Sequence, residues 1–274
     1  MQANHSTLAE ASSPKPAHMA WPLAAIGLAL SLSASPIVAY WIIRARIEWI
    51  ALFPEESLRK PPTISRAISE PSIGDPFSLW IALVAVELFV LGIIVAMLYT
   101  RSVHATPAAD VADRRRLQIW SNFYIVLQPP IALGLILLSV FRIGHANSIH
   151  MIGSYMLFIS AALAQIVGLM TNLAVLTLIR HDQSMRQRGL IEPTAARLRI
   201  VACVAAIIAT LTYLALFILK DTSYHTPSLY QAYVLTEVVV LILVLNLALL
   251  HAVDFARIIL RHLHGRSAPA TQTP

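Results

Sequence analysis

Six long apolar stretches run through the chain: Trp21–Ile43, Phe77–Tyr99, Trp120–Phe141, Ile149–Ile179, Ile200–Leu219 and Gln231–Val253. A helix that crosses a bilayer needs about 20 mostly apolar residues, and each stretch reaches that length. This predicts an all-α fold, a bundle of six transmembrane helices. Charged residues make up 12% of the chain and hydrophobic ones 57%. A water-soluble domain carries about 25% charged residues, so lipid must be the main solvent. The 274 residues are almost used up by the spans and their connections, which leaves no room for a second domain of ordinary size. The expected division is a disordered polar tail at 1–20, a transmembrane domain at 21–256 and a second tail at 257–274. A net charge of +6 would point to nucleic acid in a soluble protein. Here the cations sit in loops, where they set topology, so no nucleic-acid partner is expected.

Charge counting orients the bundle. The two tails and the loops after the second and fourth spans hold 13 of the 20 Lys and Arg residues. The basic side is normally cytoplasmic, which puts both termini inside. The first loop runs against this with five basic residues, offset by Glu48, Glu55, Glu56, Glu70 and Asp75. Reporters fused to either terminus are expected to read cytoplasm, and a tag near Ser72 to be reachable from outside. An external C-terminus would mean a miscounted or cleaved span. The first span follows Lys15 as the one firm positive charge of its tail and has a long apolar core, so it reads as retained rather than as a signal peptide. Basic residues are 17 Arg against 3 Lys, a bias that points to a GC-rich bacterial coding sequence and a bacterial inner membrane. The single cysteine, Cys203, excludes an internal disulfide or a thiolate metal cluster.

Within the spans, Pro36 interrupts the first, and Gln128-Pro129-Pro130 is expected to kink the third. Residues Arg44–Phe53 either continue the first helix or lie along the interface. The fourth span carries His150, Gly153, Ser154, Ala161, Ala164, Gln165, Gly168 and Asn172 on one helical stripe. Small and polar residues on one face let helices approach closely and hydrogen-bond across the contact; the alternative is a face that lines a ligand site. A bulky residue at Gly168 is therefore expected to disturb the bundle more than one at Val167.

Three marks resemble the DRAM/FRAG/SFK family of six-span membrane proteins, which includes autophagy modulators and GPI-anchor lipid-remodelling factors. The first is Pro62-Thr63-Ile64-Ser65 in the first outer loop. The second is His150, Gly153, Ser154 and Phe158 at the start of the fourth span. The third is Glu237 in the sixth span with Asp254-Phe255 at its inner end. Two positions depart: Arg66 stands where the family often has Asp, and Val238 where it has Trp. The resemblance implies a role in membrane lipid organisation or remodelling and does not name a reaction.

Candidate chemistry centres on Glu87 and Glu237, single carboxylates inside the second and sixth stretches. A charge at a helix centre costs about 2.5–3.5 kcal/mol on insertion scales, so such groups face the bundle and find a partner. The candidate polar cluster is Glu87, Arg142, His150 and Glu237, tying spans two, four and six together. A metal site would draw on His145, His150 and His225 with Asp221 or Glu237, but no pair has helical ligand spacing. Bis-histidine haem needs facing imidazoles within the bundle, whereas His104, His181 and His251 read as span-end residues on one side. No cofactor or metal is expected, and no nucleophile-elbow or phosphate-loop motif is present. The basic residues Arg114, Arg115, Arg116, Arg186, Arg188, Arg197 and Arg199 read as inner-surface anchors, within reach of anionic lipid. The favoured function is non-enzymatic: binding or organising membrane lipid, or scaffolding membrane partners. The alternative is a lipid-remodelling enzyme or proton-coupled carrier using Glu87, Glu237 and His150.

Overall fold

The computed structural model describes residues 21–104, 111–144, 146–181, 190–220, 222–223 and 226–267. The tail at 1–20, His145, Arg186, Arg188, Asp221 and His225 lie outside them, as do the side chains of His104, His181 and Asn246. Among the described residues there is no strand. The first span is α1 (Trp21–Leu52), followed by two short helices, α2 (Pro54–Arg59) and α3 (Ile64–Ala67). Next come α4 (Pro71–His104), α5 (Val111–Val140), α6 (Asn147–His181), α7 (Pro193–Leu219) and α8 (Pro227–Asn246). A 3₁₀ turn at Leu249–His251 leads into α9 (Ala252–Ser267). Among the described residues six helices are long and apolar enough to cross a membrane, the last running through α8 and α9.

Several starts have a local cause. Proline occupies the first position of α2, α4, α7 and α8, where its missing N–H is no loss and its φ is already helical. Thr226 caps α8 by accepting the N–H of Leu229 at 3.1 Å. Hydroxyls within the spans bond back one turn, as in Ser31 to the Gly27 carbonyl (2.8 Å) and Thr171 to that of Val167 (2.7 Å). In hydrocarbon no water is present to take those hydrogens. Residues after Arg44 continue α1, which at 1.5 Å per residue is about 48 Å long. Its far turns pair Arg44 with Glu48 at 2.6 Å. The chain passes through Pro129 and Pro130 inside α5 without ending the helix.

The arrangement is inside-out relative to a soluble protein. Leu32, Leu83, Val126, Ile159, Val201 and Leu235 are exposed, while Ser31, Ser121, Gln128, Gln165, Arg199 and Glu237 are buried. That is the pattern of a bundle whose solvent is lipid. Each spanning helix packs on the next in sequence, and α8 with α9 returns to α1. The spans therefore form a closed ring. One apolar core lies toward the α2–α3 end, around Trp41, Ile68, Phe77 and Val234, and a second toward the α9 end, around Leu98, Leu178 and Phe255.

Helices α5 and α6 cross backbone to backbone. A Cβ on Gly153 would sit 2.7 Å from the Leu138 nitrogen, and one on Gly134 would sit 2.6 Å from the Leu157 nitrogen. Their connection turns at Gly144, whose φ of +97° suits glycine alone. Gly168 does not share this tightness. Its Cβ would meet only the Cys203 sulfur, at 3.4 Å. The expectation that a bulky residue at Gly168 disturbs the bundle more than one at Val167 loses its basis, because Gly168 borders a cavity and Val167 is itself buried.

Candidate functional site

At the α2–α3 end, the first loop folds over the ring as a strap. Thr63 accepts the N–H of Arg66 at 3.1 Å and so starts α3. The first free N–H of that turn, on Ile64, donates to the Glu237 carboxylate at 2.8 Å. Ser65 meets His150 Nε2 at 3.1 Å, and His150 Nδ1 meets the Phe141 carbonyl at 2.8 Å. A carbonyl only accepts, so in the neutral ring Nδ1 carries the hydrogen and Nε2 accepts from Ser65. Pro62, Ile64, Ala67 and Ile68 are the buried residues of the strap itself. Arg66 pairs with Glu56 and lies over the Trp49 ring at 5.6 Å. Beside this, Phe158 packs on Tyr213 at 4.9 Å, and Tyr213 stacks on Tyr233 at 5.4 Å.

The motif residues of three distant segments thus hold one another. The wider polar cluster does not assemble as expected. Glu87 accepts from Ser33 of α1 at 2.9 Å, and Arg142 pairs with Asp75 of α4. His150 and Glu237 converge through neighbours, Ser65 and Ile64. The cause is the strap, which reaches both before they reach each other. Because Glu237 serves as an acceptor, Glu237→Gln should be tolerated, since its carbonyl oxygen still accepts. Glu237→Leu orphans the Ile64 N–H and should cost about 1–3 kcal/mol. Unfolding in detergent measures both; equal stability of the two variants would remove this role.

A second polar centre lies at the α9 end. Arg199 of α7 is 1% exposed and Asp254 of α9 is fully buried, with Nη1 2.6 Å from Oδ2. Nη1 also donates to the Leu250 carbonyl at 3.1 Å, and Nε to Asn172 Oδ1 at 2.9 Å. The other Asp254 oxygen accepts the Glu192 N–H at 2.7 Å. Tyr99 donates to the same Asn172 oxygen at 3.2 Å. The reading of Arg199 as a surface anchor is overturned. Ala195, Ala196, Arg199, Cys203, Ala206 and Thr210 form one buried stripe of α7, and that periodicity is the signal that would have placed it inside. His251, read as a span-end residue, is buried in the turn between α8 and α9, its ring edge-on to Tyr99 at 5.9 Å. Phe255 packs on Gly27, where a Cβ would come within 2.7 Å of the ring. The segment given to a tail from 257 onward is helical to Ser267, with Ile258 in the core.

Between the two centres α4 to α8 and the turn after α8 line a cavity of about 80 Å³. Leu88, Leu91, Val95, Ile131 and Val244 line it on the apolar side. Gln128, Gln165, Asn172, Tyr99, Arg199 and His251 supply its polar lining. The interruption of the sixth span at Leu247–His251 forms part of its wall. Irregular backbone at membrane depth is tolerated where it lines a cavity and its polar groups are met, as Arg199 meets Leu250. Among the described residues, no group of three or more His, Cys, Asp or Glu side chains is arranged to hold a metal.

No curated protein and no solved structure matches the chain. A family model, the Frag1/DRAM/Sfk1/Cwh43P N-terminal domain, matches residues 20–258. That range takes in five spans and most of the sixth, the strap, the Glu237 and His150 contacts and the Arg199–Asp254 pair. With so much of its length matched, this multi-pass membrane protein belongs to the Frag1/DRAM/Sfk1/Cwh43P family.

Proposed function

We propose that the protein binds and organises membrane lipid without catalysing its conversion, and that the cavity at the centre of the ring is where it does so. The observation that carries this reading is the composition of that cavity: hydrocarbon side chains from several spans above a floor of buried hydrogen-bonding groups. An amphiphile needs this combination, because its chain is satisfied by apolar surface and its polar end by donors and acceptors. The setting we propose is the cell membrane, the inner membrane of a bacterium, with both termini cytoplasmic. Glu237 bonds to the strap, His150 is held between the strap and the Phe141 carbonyl, and Glu87 bonds to Ser33. The carrier or enzyme built on those three residues therefore has less support than lipid binding.

Native mass spectrometry of the full chain, purified in mild detergent, tests the proposal. The expected spectrum retains one lipid species per chain. Gly168→Leu should lose it, since that side chain grows from the cavity wall. A chain that arrives bare, or one that turns over its retained lipid on incubation, overturns the reading.

A further inference from the structure

Glu87 and Ser33 meet on the outside of the ring, at the seam between α1 and α4. The Ser33 hydroxyl donates to Glu87 Oε2 at 2.9 Å, and both residues are partly exposed. At about 100° per residue, Glu87 stands about 40° from Leu83 and about 60° from Val90 around α4. Those two are 50% and 37% exposed. The other carboxylate oxygen, Oε1, has no hydrogen-bond partner among the described residues, and it is not one of their enclosed unpartnered atoms. Glu87 is not part of the cavity lining either, so Oε1 opens onto the lipid-facing surface. On α1, Pro36 is exposed one turn beyond Leu32 and has no N–H to give the Leu32 carbonyl. The hydroxyl next to it, that of Ser33, is directed to Glu87 and to the Leu30 carbonyl at 3.3 Å. Two acceptors of this seam, Glu87 Oε1 and the Leu32 carbonyl, are thus short of a donor.

Depth selects the partner. Ser33 and Glu87 lie near the midpoints of the apolar runs Trp21–Ile43 and Phe77–Tyr99. The hydrocarbon of a bilayer is about 30 Å thick, so lipid headgroups and their donors stand about 15 Å away. A carboxylate at this depth is costly unless it is paired. The donor that reaches it belongs to another membrane-spanning segment, and hydrogen bonds between helices are one of the forces that associate such segments. A second copy is a poor fit. A two-fold contact sets the same patch against itself, which brings carboxylate to carboxylate and carbonyl to carbonyl. A helix with Lys, Arg, Asn or Gln at mid-span complements both acceptors, since each of those side chains carries at least two N–H donors.

We infer that the α1–α4 seam is a docking surface for a transmembrane helix of another protein, which presents a Lys, Arg, Asn or Gln side chain to Glu87 at mid-membrane. That helix packs along Leu32 of α1 and Leu83, Val86 and Val90 of α4, all of them exposed. The surface is separate from the cavity and does not rest on the lipid-binding reading above.

The test is energy transfer in neutral phosphatidylcholine vesicles. The donor dye sits at the C-terminus of the full chain, and the acceptor on synthetic Leu-rich transmembrane peptides with one central Lys, Asn or Leu. Wild type should bind the Lys and Asn peptides about tenfold more tightly than the Leu peptide. Glu87→Leu should lose that preference. It should still fold and melt near wild type in detergent, because Glu87 makes one bond among the described residues and Ser33 keeps the Leu30 carbonyl. Glu87→Gln keeps an acceptor for Ser33 and should bind the Asn peptide as wild type does, but the Lys peptide about tenfold more weakly. Equal affinity of wild type for the three peptides overturns the inference, as does a preference that survives in Glu87→Leu or an unchanged Lys affinity in Glu87→Gln. Self-association of wild type that Glu87→Leu abolishes also overturns it, because the occupant is then a second copy.

Discussion

Asp254→Ala is expected to destabilise the protein by about 3–5 kcal/mol, the cost of leaving one partner of a buried ion pair alone. Asp254 neutralises Arg199 at 2.6 Å and also accepts the Glu192 N–H at 2.7 Å. Alanine removes both bonds and strands a guanidinium that is 1% exposed. Asp254→Asn should cost less, because its oxygen still accepts one of the two hydrogens. The informative companion is Arg199→Met with Asp254→Leu. Replacing a whole buried pair by apolar residues of similar volume is often neutral or stabilising, so the double variant should recover most of the loss. Detergent unfolding of the single and double variants closes a thermodynamic cycle. A single variant within about 1 kcal/mol of wild type, the surface-pair regime, would place Arg199 in water and remove the polar floor from the cavity.

The six spans were legible because bilayer thickness imposes a length on every crossing element, and that length is written as an apolar run. The strap was half legible. The resemblance marked Pro62, Ile64 and Ser65, His150 and Glu237, but a single chain does not say which marked residues touch. Their pairing depends on a one-turn helix, Ile64–Ala67, too short to leave a periodic signal. Arg199 was misplaced because it lies at the edge of an apolar run, where cations normally mark the membrane surface. What draws it inward is Asp254, 55 residues later in the chain, together with Asn172 from a third helix. The cavity was legible only as one wall, the stripe from Ala161 through Ala164, Gln165 and Gly168 to Asn172. It is the space left where a ring of helices closes, and it depends on how α8 breaks at Leu247 rather than on any one residue type.

Gly153→Ala is expected to destabilise the protein and Gly168→Ala to leave it as stable or slightly more so, although both sit on one helix. Alanine in a helix interior is intrinsically better than glycine by about 0.5–1 kcal/mol, so any loss must come from contact. At Gly153 the new methyl would meet the Leu138 nitrogen at 2.7 Å and the Gly134 oxygen at 3.0 Å. Both are backbone atoms of α5 and move only if the helix moves. Gly134 presents the mirror situation, its Cβ 2.8 Å from the Gly153 oxygen, so the helices have no room on either side of the crossing. Separating them exposes polar backbone and forfeits packing; overpacking of this kind costs about 1–3 kcal/mol, which outweighs the propensity gain. At Gly168 the nearest atom is the Cys203 sulfur at 3.4 Å, the end of a small side chain bordering the cavity. Gly153→Leu should prevent accumulation of folded protein, while Gly168→Leu should fold and fill the cavity. Melting temperatures in detergent decide the matter: Gly153→Ala as stable as Gly168→Ala would mean that α5 and α6 do not meet backbone to backbone at this point.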